Sequence, residues 1–207
     1  NTIVIADASF WRKSPAIIIY DVETGRARRV LESHASVSAE DYVIRNNDRE
    51  MKFLGGIVAL RGGIDGIALG PEWLYFGAIS GSGLYRVRLR DLRDASLPPG
   101  QLANRVERVG DKPLSDGMSI DIEGNVYITA IEHNAVFIGR PGQDPETLIR
   151  SGRIRWPDAL SFGPDGHLYL ADSALADLIL QSREHIDAQA PYRIFRFRPG
   201  VEGIPGQ

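Results

Sequence analysis

The chain has 207 residues, with 24 Lys and Arg against 27 Asp and Glu, a formal net charge of −3 that excludes a nucleic-acid binder held by a basic face. Its 43% hydrophobic and 25% charged residues are those of a folded domain, not a disordered tail. No apolar run approaches the roughly 20 residues of a membrane-spanning helix, and the absence of cysteine removes disulfides, a thiolate nucleophile and Cys-ligated zinc.

The sequence opens at Asn1, inside an apolar strand-like run, so its natural N-terminus, and any leader, is expected upstream. Ile3-Val4-Ile5-Ala6 and Ala16-Ile17-Ile18-Ile19-Tyr20 are rich in β-branched residues and read as strands, with a turn at Glu23-Thr24-Gly25. Arg26, Arg28 and Arg29 read as the solvated face of an outer strand. Arg45-Asn46-Asn47-Asp48-Arg49 reads as a hairpin turn inside an outer strand pair. Trp73-Leu74-Tyr75-Phe76, Val126-Tyr127-Ile128 and His167-Leu168-Tyr169-Leu170 are further strands, each bounded by turn residues. Leu84 to Leu89 and Tyr192 to Phe197 alternate strictly and predict strands with one wet face. Residues 91–95 and 174–187 are the two places that can hold helix.

Three stretches repeat. Ile64-Asp65-Gly66-Ile67-Ala68-Leu69-Gly70-Pro71 leads into the strand at Trp73. Ser115-Asp116-Gly117-Met118-Ser119-Ile120 leads into the one at Val126, and Pro157-Asp158-Ala159-Leu160-Ser161-Phe162 into the one at His167. The aspartates recur at intervals of about 50 and about 40 residues, the period of propeller blades. The fold class is therefore all-β, a β-propeller of four-stranded blades. About four blades are present, at residues 1–58, 59–109, 110–152 and 153–207, in one partial domain. Residues 2–31 look like the back half of the first blade, with two strands. An open arc exposes two sheet flanks, so closing the ring needs blades upstream or a second polypeptide.

Ile5-Ala6-Asp7-Ala8, Pro15 to Asp21 and Thr24 to Leu31 resemble the major royal jelly protein and Yellow family, in its bacterial branch. Gly66 to Pro71, Ile131-Glu132-His133-Asn134-Ala135 and Trp156-Pro157-Asp158-Ala159-Leu160 continue the resemblance in the same order. It implies a six-bladed propeller when complete, with the first blades absent here, and secretion or a periplasmic location. The Asp-Gly openings are also similar to those of regucalcin and gluconolactonase propellers, which use a divalent metal. By that likeness Asp116 matches a metal-binding Asp and Asp65 stands where those enzymes carry an Asn ligand. Their N-terminal Glu ligand has no counterpart in this chain.

In a propeller the entry of each first strand and the end of each second strand share the top face. Asp65, Asp116 and Asp158 then converge at the mouth of the central channel, with Ser80, Glu132, His133, Asp172 and the loop Ser9-Phe10-Trp11-Arg12-Lys13 around them. Carboxylates that close repel, so one is protonated or a cation binds. Oxygen ligands favour Ca²⁺ or another hard divalent ion. Asp65 and Asp116 are thus the candidate metal ligands, and His133, Glu132 and Asp158 the candidate catalytic residues, with His133 as general base. Trp11, Ser80 and Asp172 are candidate ligand-binding residues. The bland reading is that Asp-Gly is a common turn pair and that Trp73 and Trp156 are packing residues.

No phosphate loop, dinucleotide fingerprint or Gly-x-Ser-x-Gly elbow occurs, so no nucleotide cofactor is expected. The Trp-Asp and Gly-His signatures of WD-repeat platforms are missing. The expected partner is a small-molecule ligand, with no nucleic acid and no membrane. Two functions fit. One is an enzyme transferring a proton on a small polar or aromatic molecule, as an isomerase or lactone hydrolase. The other is a non-catalytic binding or storage propeller.

Overall fold

Four antiparallel sheets follow one another along the chain in the computed structural model, which describes residues 1–204. The first holds β1 (Thr2–Asp7), β2 (Ala16–Asp21) and β3 (Arg26–Val30) in that order. Two small hairpins come next, β4 (Arg45–Asn46) with β5 (Arg49–Glu50) and β6 (Lys52–Phe53) with β7 (Val58–Ala59). The second sheet runs β8 (Ile64–Leu69), β9 (Trp73–Ala78), β10 (Gly83–Arg88), β11 (Glu107–Asp111). The third runs β12 (Met118–Ile120), β13 (Val126–Ala130), β14 (Ala135–Gly139), β15 (Glu146–Arg150). The fourth runs β16 (Pro157–Phe162), β17 (Leu168–Asp172), β18 (Arg193–Phe197).

The core lies between the sheets, which is why the central strands do not alternate in sequence. Ile17 and Ile19 of the first sheet pack on Ile64, Leu74 and Phe76 of the second. Ala68, Tyr75 and Leu84 pack on Met118, Ile120, Val126 and Ile128 of the third, and Tyr127 and Val136 on Leu160, Phe162, Leu168 and Leu170 of the fourth. Every residue of β13 is buried, since each of its faces meets a neighbouring sheet. Sheets stacked face to face around an axis, innermost strand first, are propeller blades.

Several expectations change. Residues 2–31 hold three strands, not two. β1 is an edge strand of its sheet. Among the described residues no strand pairs with its other edge, and Ile3 and Ile5 stay 50% and 44% exposed. The arginine run is not simply solvated, because alternation points Arg29 at Asp7 (2.6 Å) and Arg28 at the carbonyl of Leu92. The Arg45–Arg49 region is a tight hairpin, but it pairs with no blade. Helix near residues 91–95 begins earlier, as α1 (Leu89–Arg93), and α2 (Pro99–Ala103) opens with Pro in its first turn. The 174–187 stretch splits into α3 (Leu175–Leu178) and α4 (Arg183–Ala188), because Leu180 turns left-handed and Ser182 caps the second helix. No helix among the described residues is long and apolar enough to cross a membrane.

Candidate active site

The innermost strands β8, β12 and β16 lie side by side, and each carries an aspartate at its entry. Asp65 is the second residue of β8, Asp116 sits just ahead of β12, and Asp158 is the second residue of β16. The glycines after the first two are packing devices rather than turn residues. A Cβ on Gly66 would fall 2.9 Å from Met118 Cγ and 3.1 Å from the Asp116 carbonyl oxygen, and one on Gly117 would collide with the backbone of Asp158 and Ala159. Neither glycine has a positive φ. The third position can be Ala159, which is exposed.

This close approach brings the Asp65 and Asp116 carboxyl groups near enough to shift each other's titration, and Asp158 acts on both through its charge. Burial pushes the Asp116 carboxyl up to about 8, against the pull of the Trp156 indole N–H, with Asp158 and Asp65 pushing the same way as burial. Asp65 is also raised, first by burial, while its interaction with Asp116 acts the other way. Burial and like charge thus both favour holding a proton on this pair.

Other groups fix this pair. The backbone N–H groups of Asp116 and Gly117 both donate to Thr129 Oγ1 at 3.0 Å, which holds the loop before β12 against β13. Trp156 Nε1 donates to Asp116 Oδ2 at 2.7 Å. Asp172 in turn accepts from Trp156 N at 2.7 Å and from Arg155 N at 2.9 Å, and takes the Arg155 Nε at 3.2 Å. Asp172, placed among the ligand-binding candidates, thus spends Oδ1 on the backbone that carries Trp156 and Oδ2 on the Arg155 guanidinium.

The remaining candidates lie elsewhere. Ser80 is fully buried and closes a loop, exchanging backbone bonds with Gly62 and Glu40. Glu132 Oε1 accepts the Arg45 N–H at 2.6 Å and lines a polar cavity of about 680 Å³ with Tyr42, Arg45, Asn47, Asp48 and Glu50. His133 is exposed, its ring 5.8 Å from that of Phe137. Trp11 is 97% exposed in the β1–β2 loop. Trp156 is packed as expected, and Trp73 lies under the guanidinium groups of Arg86 and Arg88 at 4.1 and 4.3 Å.

An apolar roof covers Trp156, the residue whose indole reaches Asp116. Ile44 and Met51, from the segment between the first two blades, pack with Ile79, Ile131, Trp156 and Ala176. Nothing in the sequence marks Ile44, Asn46 and Met51 as neighbours of Trp156, since they come from a connection with no blade motif. The role of Trp156 was within reach, because Trp156-Pro157-Asp158 places an indole two residues from a channel aspartate.

The described residues do not by themselves fit a resident divalent cation. Among them no three His, Cys, Asp or Glu side chains are grouped to hold an ion.

The sequence model of the family described as major royal jelly protein matches residues 2–147. No curated protein matches this sequence. A luciferin-regenerating enzyme superposes with a TM-score of 0.58 at 15% identity, over 94% of this chain and 55% of its own. Regucalcin from Agrobacterium tumefaciens, a calcium-binding protein, gives 0.52 at 17% identity, over 92% of this chain and 54% of its own. A chain of a nidogen/laminin complex gives 0.56 at 12% identity, over 100% and 63%. At such identities the likeness shows the fold alone. The chain spans about half the length of the first two.

Proposed function

The chain belongs to the major royal jelly protein family, and from that premise we propose that it is a propeller enzyme. It acts on a small polar or aromatic molecule at the mouth of the central channel, by proton transfer. The observation that supports this reading is the placement of Asp65 and Asp116 at the entries of neighbouring inner strands, where burial raises both carboxyl groups. With one proton held on it, the pair presents one acid and one base. An acid poised near 8 gives and takes a proton at neutral pH with little bias. In an isomerisation the Asp65 carboxylate would take a proton from one atom of the ligand and Asp116 return one to another. In lactone opening the same carboxylate would take a proton from a water whose oxygen adds to the carbonyl carbon, and Asp116 would protonate the ring oxygen as its bond to that carbon breaks. Asp158 supplies negative charge beside the pair and keeps the shared proton in place.

His133 and Glu132 stay candidates for the rim of the site, where Glu132 already faces the polar cavity. We read the free edge of β1 and the exposed Ile3 and Ile5 as a junction to further blades, from upstream sequence or from a second chain.

The test is a panel of lactones and of aromatic keto–enol compounds in deuterated water. The wild type should open a lactone or place solvent deuterium on a ring compound, and Asp116→Asn should do neither while staying folded. Saturable binding of a panel member with no turnover and no deuterium uptake would favour the second reading, a non-catalytic binder. One observation speaks for that alternative: Trp156, the neighbour of the pair, is 1% exposed beneath its roof.

A further inference from the structure

Residues 44–60 form a strap that leaves the first blade and reaches across to the third and fourth. Among the described residues its strands pair only with one another, β4 with β5 and β6 with β7, and the hydrogen bonds tying it to the far blades all involve side chains. Arg45 N donates to Glu132 Oε1, Asn134 Nδ2 to Asn47 Oδ1, and Arg49 Nη1 to the Ala176 carbonyl. Asn46 is the buried tie, 1% exposed, its Nδ2 donating to the carbonyls of Ile131 and Arg155.

The Arg155 bond has a particular consequence. Its carbonyl belongs to the peptide group whose N–H is that of Trp156, and that N–H donates to Asp172. Asn46 and Asp172 therefore grip the two ends of one peptide unit, and that unit aims the indole at Asp116. On its inner side the strap adds Ile44 and Met51, fully buried, to the apolar cluster containing Trp156. A segment held by side chains and apolar contacts, with no ladder to its support, opens more cheaply than the blades beneath it.

We propose that the strap is a lid over the Asp65–Asp116 pair, with Asn46 as its latch and as a positioning residue for Trp156. As a route of entry the lid rests on the reading of that pair as the working site; its motion does not. Lifting it uncovers Trp156, Ile79 and Ile131 beside two carboxyl groups. The molecule admitted therefore carries a ring-sized apolar face, to replace the strap, and a hydroxyl or carbonyl at one edge, to meet the pair.

The experiment uses the full chain with Trp11→Phe and Trp73→Phe, which leaves Trp156 as the single indole. Acrylamide quenching reads its exposure, and backbone amide exchange reads the strap. Asn46→Asp keeps the shape but loses both donated bonds. It and Asn46→Ala should raise quenching several-fold and speed exchange across residues 44–60 on the order of tenfold, with β9 and β13 unchanged. Arg49→Ala cuts a half-exposed tie, does not disturb the core, and should shift both readouts less in the same direction. Unchanged quenching in all three variants, or exchange that rises equally in strap and blades, overturns the proposal. If the Asn46 variants do not fold, Arg49→Ala decides alone, and an unaltered strap overturns it. Asp116→Asn in the same background separates the two readings: lost proton exchange with a normally protected strap concerns the pair and not the lid.

Discussion

Trp156 donates its indole N–H to Asp116 Oδ2 at 2.7 Å across the boundary between the third and fourth blades. That bond favours the ionised carboxylate, yet burial outweighs it and pushes Asp116 from 3.8 to about 8. Between those values the folded protein binds a proton that the unfolded chain releases. The associated stability is present below 3.8 and is lost as pH rises through about 8. Urea unfolding should therefore show stability falling across that window, and Asp116→Asn should flatten the slope and raise stability at its upper end.

Lys112 bends the profile the other way. Its ammonium is buried and donates to the carbonyls of Ala78 (2.8 Å) and Pro113 (3.1 Å) and to Ser115 Oγ (2.9 Å). Burial lowers it from 10.5 to about 7, with the charge of Glu40 opposing. Above about 7 the unfolded chain binds more protons, so this contribution rises with pH up to 10.5 and is absent below about 7. Lys112→Met should remove that rising limb. It also takes the ammonium donor from the buried Ala78 carbonyl and Ser115 hydroxyl, a loss of about 1–3 kcal/mol per group left unpaired, readable by denaturant titration at pH 6.

The channel aspartates are legible in the sequence because each opens a repeat, and a repeat period fixes where a strand begins around the axis. Their neighbours are less so. Asp172 shares a face with them, but tertiary packing commits Oδ1 to the Arg155 and Trp156 backbone and Oδ2 to the Arg155 guanidinium. Glu132 and His133 sit in a recognisable motif, yet Glu132 is taken up by the backbone N–H of Arg45 in the strap. Period-two alternation correctly marks β10 and β18, while β13 gives no such signal since both its faces are covered. The strap itself has hairpin chemistry at Asn47-Asp48 and nothing that says where the hairpin lands.

Gly117→Ala tests whether blade spacing sets the carboxyl cluster. The new Cβ meets the backbone of Asp158 and Ala159, which has no rotamer with which to retreat, so β12 and β16 must part. The expected loss is about 1–3 kcal/mol, the range for overpacking. Separated from Asp158, the Asp116 carboxyl should titrate lower than in the wild type. A variant as stable as wild type with an unmoved titration would show that the spacing is not set there.

Asp121 organises the turn into β13. Its fully buried carboxylate accepts the N–H groups of Glu123 (3.0 Å) and Asn125 (2.9 Å), the Asn125 side chain (2.7 Å) and the Tyr127 hydroxyl (2.9 Å). Asp121→Ala strips the acceptor from all four and should cost about 3 kcal/mol or more, whereas Tyr127→Phe removes one bond and should cost about 1–2 kcal/mol. Chemical denaturation of the two variants against wild type gives the comparison.

The account turns on a proton held between Asp65 and Asp116 at neutral pH. The most direct measurement is a carbon-13 NMR titration of the aspartate carboxyl groups, in wild type and in Asp65→Asn and Asp116→Asn. One resonance should titrate near 8 in the wild type and be missing in Asp116→Asn. A protein in which every aspartate has titrated by about pH 5, within the usual carboxylate range, contradicts the shared proton and the chemistry built on it.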